Sequence, residues 1–182
     1  FALPSSGCRR DLANPMAVTL DDVAQLLDEQ GLRYSRDEDS GPLRAGFETE
    51  TYRDQHGNAA VQLILEVDET GEWLRIFSPA AYSLASCTNV AAALEAFTGI
   101  QWRTKLVCFE YDSSDGEIRP AVTHAIEDTS LSGAQLSTLI QAIPLILDNY
   151  HPVIVRAMDT GVVDFDASED SGSGDAPASH VT

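Results

Sequence analysis

The chain has 182 residues, 43% of them hydrophobic, which suits one folded domain with a buried core and excludes wholesale disorder. Eleven basic residues against 29 acidic ones give a net charge of −18, and Lys105 is the only lysine. Nucleic acid and anionic lipid are bound by clustered Lys and Arg, so this balance argues against both partners, and no apolar run approaches the ~20 residues that span a bilayer.

Residues 1–17 carry Pro, Ser, Gly and Asn without periodicity and read as a flexible N-terminal arm. Phe1 stands where a methionine would, which leaves two readings of the start, a missing N-terminus or an altered one. "VTLDDVAQLLDEQG" then predicts a short helix, with Thr19 as N-cap, Asp22 three residues on, and Gly31 as the stop. Leu20, Val23, Leu26 and Leu27 share one face of that helix.

From residue 41 to 77 the period becomes two. Leu43, Ala45 and Phe47 alternate with polar neighbours; Val61, Leu63, Leu65 and Val67 do so after "DQHGN"; "WLRIF" follows the turn "DETGE". Such alternation between Gly-containing turns predicts an antiparallel meander with one face buried. Helical spacing returns over 84–98, where Leu84, Val90, Ala91, Leu94 and Phe97 are expected on the packed face. A hairpin over 105–128 turns at "SSDG", and Pro120 places its second strand at a sheet edge or a bulge.

Ser132 and Gln135 stand in capping-box spacing ahead of a stripe of Leu136, Leu139, Ile140, Ile143 and Leu147. Pro144 within the stripe predicts a kink, and Pro152, after His151, is suited to start a further turn. Residues 162–182 are rich in Ser, Gly and Asp and read as an acidic disordered tail. The whole predicts an α+β domain over 18–161, with an antiparallel sheet of about five strands and three helices in the order α-β-β-β-α-β-β-α.

Three stretches, "ETGEWLRIFSPA", "LVCFEYDSSDGEIRPAVTHAIEDTSLSGAQLSTLI" and "LDNYHPVIVRAM", resemble the YbjN family, whose fold is that of type III secretion chaperones. The likeness covers about residues 18–160 and contains no catalytic motif. It implies a small protein that dimerises and binds other polypeptides, with no established reaction. The long acidic tail and the near-absence of lysine depart from the family's pattern.

No P-loop, GxGxxG, HExxH, GxSxG or paired CxxC occurs, so no cofactor or metal is expected. Cys8, Cys87 and Cys108 are widely spaced and fit a reducing cytoplasm better than a disulfide frame; Cys108 reads as a small buried hydrophobe, and Cys87 near a helix start has no nucleophile motif around it. His151 has Asp148 three residues back, a spacing that lets a carboxylate orient an imidazole, but the flanking prolines explain it as a packing bend. His124 falls in phase with Ile118, Val122 and Ile126 and is expected to be structural.

Asp164, Asp166, Ser168, Asp170 and Asp175 match the ligand spacing of a calcium loop, but Glu169 occupies the position that needs glycine, which favours a plain acidic tail. The expected function is therefore a non-enzymatic, chaperone- or adaptor-like module, homodimeric, that holds a partner polypeptide. Trp73, Phe77, Leu94 and Phe97 are the candidate contact residues. The competing class is an enzyme or metal-dependent regulator using His124 or His151 with nearby acids. The acidity itself suits a salt-rich cell interior, where ions screen self-repulsion.

Overall fold

The structure, a computed structural model, describes residues 17–36, 41–126 and 130–166. Cys8, nearly all of the N-terminal arm, and the calcium-spaced positions beyond Asp166 lie outside the described residues. Three helices, α1 (Leu20–Glu29), α2 (Val90–Arg103) and α3 (Gly133–Thr160), pack with a seven-stranded sheet. Its strands are β1 (Tyr34–Arg36), β2 (Leu43–Glu48), β3 (Ala60–Val67), β4 (Trp73–Phe77), β5 (Tyr82–Ser83), β6 (Cys108–Tyr111) and β7 (Glu117–Ala125).

Both expected capping boxes form. Thr19 and Ser132 accept from the backbone of Asp22 and Gln135, whose side chains return the contact to the cap residues. The order α-β-β-β-α-β-β-α is present with two additions. Strands β1 and β5 span only three and two residues, too few for an alternation to register. Helix α2 runs to Arg103, beyond the expected end, and buries Ala93, Ala96, Phe97 and Ile100. Ala91, expected on the packed face, is exposed.

Every pairing is antiparallel, in the path β1-β2-β3-β4-β7, with β5 and β6 also on β7. Ala121 pairs with both Phe77 and Cys108, and Ile118 with both Tyr82 and Tyr111. Strands β4 and β5 therefore lie end to end along one side of β7, with β6 along the other. This corrects the expectation for Pro120, whose strand is interior. The Pro120 carbonyl accepts from Ser78 N (3.1 Å), and N–H and C=O of a strand residue point the same way. The missing proline donor thus faces the break between β4 and β5, where Ala80 turns with φ 49° and no partner is lost.

One face of the sheet meets the helices. Leu43, Leu63, Leu65, Leu74 and Ile76 from the strands join Leu136, Ile140, Ile143 and Leu147 of α3 in one core. Fully burying each such side chain contributes about 1.5–3 kcal/mol. Helix α3 continues unbroken through Pro144 and Pro152. The buried stripe on either side of the prolines offsets the lost hydrogen bonds, so no separate turn starts at Pro152.

Candidate functional site

Strand β4 divides its side chains between the two faces. Leu74 and Ile76 enter the core, while Trp73, Arg75 and Phe77 face away from the helices. On that outer face Ile64, Phe77, Ala121 and half-buried Cys108 form a small second cluster, aligned by strand register. Arg75 and Arg119 lie over the Phe77 ring at 4.8 and 5.3 Å. Both also donate to the same oxygen, Glu110 Oε2, at 2.6 Å. Phe77 is thereby roofed and only 8% exposed, whereas Trp73 at the strand end is 45% exposed.

Leu94 and Phe97 lie on the other side of the sheet. Phe97 is buried in the main core against the rings of Tyr82 (5.5 Å) and Phe109 (4.9 Å), and half-buried Leu94 packs at its margin. The four candidate contact residues therefore do not form one surface; Trp73 alone offers a large open area. The thiol of Cys108 donates to Ala121 O at 3.3 Å, and burial, with Glu110 beside it, pushes its pKa up, the reverse of what a nucleophile needs. Cys87 Sγ similarly donates to Met158 O.

His151 sits half-buried on α3 among partners that the sequence did not suggest. Its Nδ1 lies 3.0 Å from Tyr82 Oη, and its ring is edge-on to Tyr52 at 5.3 Å. Burial pushes the Tyr82 phenol well above its ordinary value, so it stays protonated at neutral pH and shares this hydrogen bond with Nδ1, the donor being set by the imidazole tautomer. Burial first, then the Arg53 guanidinium, lowers the His151 pKa, with Asp148 opposing.

Asp148 serves a different purpose from orienting this ring. Its carboxylate accepts from the backbone N–H groups of Glu50 (3.1 Å), Thr51 (2.9 Å) and Tyr52 (2.9 Å), fastening the β2–β3 connection to α3. Burial alone would raise its pKa; these three donors and Arg53 outweigh it and hold the carboxyl below its usual value. The cluster is thus a polar clasp between α3, the β2–β3 connection and β5. His124 lies on the helix side of β7, paired with Leu74 and partly exposed. Among the described residues no group of three or more His, Cys, Asp or Glu is placed to hold a metal ion.

An open, mainly apolar cleft lies elsewhere. The connection from α2 to β6 and the outer flank of α3 enclose a cleft of about 370 Å³ lined by Leu106, Val107, Ala142, Leu145 and Ile146, with Thr104, Lys105, Thr138 and Gln141 as its polar members. Leu106 is 46% and Leu145 60% exposed, and Trp102, two residues before the cleft, is 89% exposed. Among the described residues no carboxylate lines the cleft. The Thr104 hydroxyl is buried without a hydrogen-bond partner among the described residues. The sequence carried one trace of this site: Leu145 falls outside the core stripe of α3, and an apolar residue off-stripe needs its own account.

Comparison with known proteins bears on the fold. No family model matches the chain, and no curated protein does. Among solved structures the chain is similar to YbjN of E. coli, described as a candidate transcription regulator, with a TM-score of 0.54 and 12% identity over 75% of this chain and 93% of that one. The α+β architecture, with its helices on an antiparallel sheet, is that of the YbjN fold.

Proposed function

We propose that this protein is a non-enzymatic, chaperone- or adaptor-like module that holds a partner polypeptide, and that it acts as a homodimer in the cytoplasm. The observation that carries the reading is the cleft beside α3, where Leu106 and Leu145 stay exposed and Trp102 adjoins them in the chain. Apolar side chains concentrated at one place on a highly charged surface are a costly arrangement unless a partner covers them.

The description of YbjN as a candidate regulator is compatible with this role by way of protein contacts. Direct reading of DNA needs a basic face. Here Arg75 and Arg119 are held by Glu110, Arg36 by Asp21 and Arg156 by Asp164. The histidines favour no reaction either: His151 is committed to Tyr82 and the Tyr52 ring, and His124 belongs to no group of three or more metal-ligand side chains among the described residues. No helix among the described residues is long and apolar enough to cross a membrane.

The test compares the full chain with Leu145→Asp as baits in affinity capture from the source cell at its native salt. A stoichiometric polypeptide held by the wild type and lost with Leu145→Asp is the expected result. Specific capture unaffected by that change would move the site off the cleft, and no specific capture would remove the reading. Sedimentation equilibrium over a range of concentrations checks the dimer.

A further inference from the structure

Resting on the polypeptide-binding reading above, we infer that the cleft between the α2–β6 connection and α3 takes an acidic amphipathic segment of the partner, its apolar side chains on Leu106 and Leu145 and a carboxylate on Lys105. The argument is one of local against global charge. The protein carries 29 acidic residues, yet none of those among the described residues lines this cleft, while its only lysine does. Lys105 is exposed and makes no ion pair among the described residues, whereas four of the described arginines are paired with carboxylates of the same chain.

The polar neighbours of Lys105 do not compete for an incoming acid. Thr138 Oγ1 donates to Ala134 O and Gln141 Nε2 to Ser137 Oγ, both at 3.0 Å within α3. Arg103, the nearest other cation in the chain, is also committed: it donates to Gly99 O at 3.0 Å and lies 3.7 Å over the Phe165 ring. Lys105 is thus the uncommitted strong donor of the cleft, standing beside apolar walls where a charge pair is less screened than in open water. Thr104, in the same wall, has an unpaired buried hydroxyl, a cost that a polar atom of the occupant relieves if the wall yields to it.

The chemistry therefore selects an amphipathic segment with an acid set beside its apolar stripe, the helix-in-groove mode of recognition. A basic segment would be drawn to the surface as a whole but would meet Lys105 unfavourably at this place. Scattered further acids on the segment would be repelled by the −18 body of the protein, so a single well-placed carboxylate fits better than a polyacidic run.

The experiment is selection of a displayed random-peptide library on the full chain, repeated on Lys105→Glu and Leu145→Asp. On the wild type the expected peptides carry apolar residues at helical spacing with an adjoining Asp or Glu. Lys105→Glu should weaken those peptides about fivefold, the size of a partly exposed ion pair, and should select Lys or Arg in place of the acid. Leu145→Asp should weaken them about tenfold or more.

Peptides that depend on Leu145 but show no preference for acid would overturn the inference and leave polypeptide binding standing. Peptides indifferent to Leu145 would place binding elsewhere and overturn it likewise. Selection of nothing would remove both. Two other occupants have their own signatures. A second copy of the chain is shown if Leu145→Asp turns a dimer into a monomer. The chain's own C-terminal acids are shown if changing Glu169, Asp170 and Asp175 to their amides exposes Trp102 to quencher in a Trp73→Phe background. Either would overturn the assignment to a partner segment.

Discussion

At the scale of single residues, the burial of His151 beside Tyr82 ties stability to pH. Tyr82 Oη and His151 Nδ1 share a hydrogen bond in a part-buried cluster, and burial there favours the neutral ring. The folded pKa of His151 lies below its ordinary 6.5, so between the two values the unfolded chain binds more protons. Stability is full above pH 6.5, falls as pH drops from there through the folded value, and then levels for this group. Urea midpoints between pH 7.5 and 5 should show that slope in the wild type and lose it in His151→Asn. Tyr82→Phe removes this hydrogen bond and should cost about 1 kcal/mol in urea unfolding, and where the phenol is the donor it should also raise the His151 pKa by NMR titration. An unmoved pKa would leave burial and Arg53 as the whole cause. Asp148 gives the companion prediction, since its carboxylate takes three backbone donors. Asp148→Ala should cost about 2 kcal/mol in urea unfolding and Asp148→Asn less, because the amide keeps one acceptor. Equal stability of all three would mean that water replaces the carboxylate without loss.

At the scale of elements, α3 is the decisive one, because it bears the clasp, the core stripe and one wall of the cleft. Pro144 lies inside a continuous helix and removes the donor to its preceding turn. Pro144→Ala should therefore stabilise the fold by about 1–3 kcal/mol, read from urea unfolding; a destabilised variant would show that the proline's own packing outweighs the restored bond. The same helix shows what the sequence could and could not disclose. Its capping box and its stripe from Leu136 to Leu147 are local patterns and were readable, as were the alternating runs of β2, β3 and β4. A single last helix was expected too, but its passage through Pro152 without a fresh start was not, because proline suits a helix start and only the buried residues on both sides decide against it. Pro120 misdirected the topology for a related reason. Its tolerance depends on a gap between two other strands, which no local pattern records. The cleft was the least legible feature, since Leu106 and Leu145 meet only after α3 has folded across the sheet. Tyr52 and Tyr82, too, reach His151 only through tertiary contact.

At the scale of the whole molecule, the charge of −18 has to be reconciled with a compact fold. Some carboxylates do structural work as backbone acceptors. Asp54 takes N–H donors of His56 and Asn58, Asp68 those of Glu72 and Trp73, and Asp112 that of Ser114, so turns are closed by acids that need no cation. Hydrogen bonds from Asn58, Thr70 and Ser114 hold these three carboxyls below their ordinary pKa, outweighing the cost of burial. The remaining acids outnumber the cations and repel one another. Added salt shortens the screening length from about 10 Å at 0.1 M to about 3 Å at 1 M, which weakens distant repulsion more than contacts such as the 2.6 Å pairs at Glu110. The Tm should therefore rise as sodium or potassium chloride is increased across that range, by a similar amount for both cations. Chloride salts are the right probe, because sulfate would strengthen apolar burial by exclusion and raise Tm for an unrelated reason. A rise would fit a chain suited to a salt-rich interior, where a carboxylate surface stays compact and an acid-bearing segment can still approach Lys105. A Tm that falls with chloride would mean that the arginine–carboxylate pairs hold the fold and that the surplus of acids costs it little.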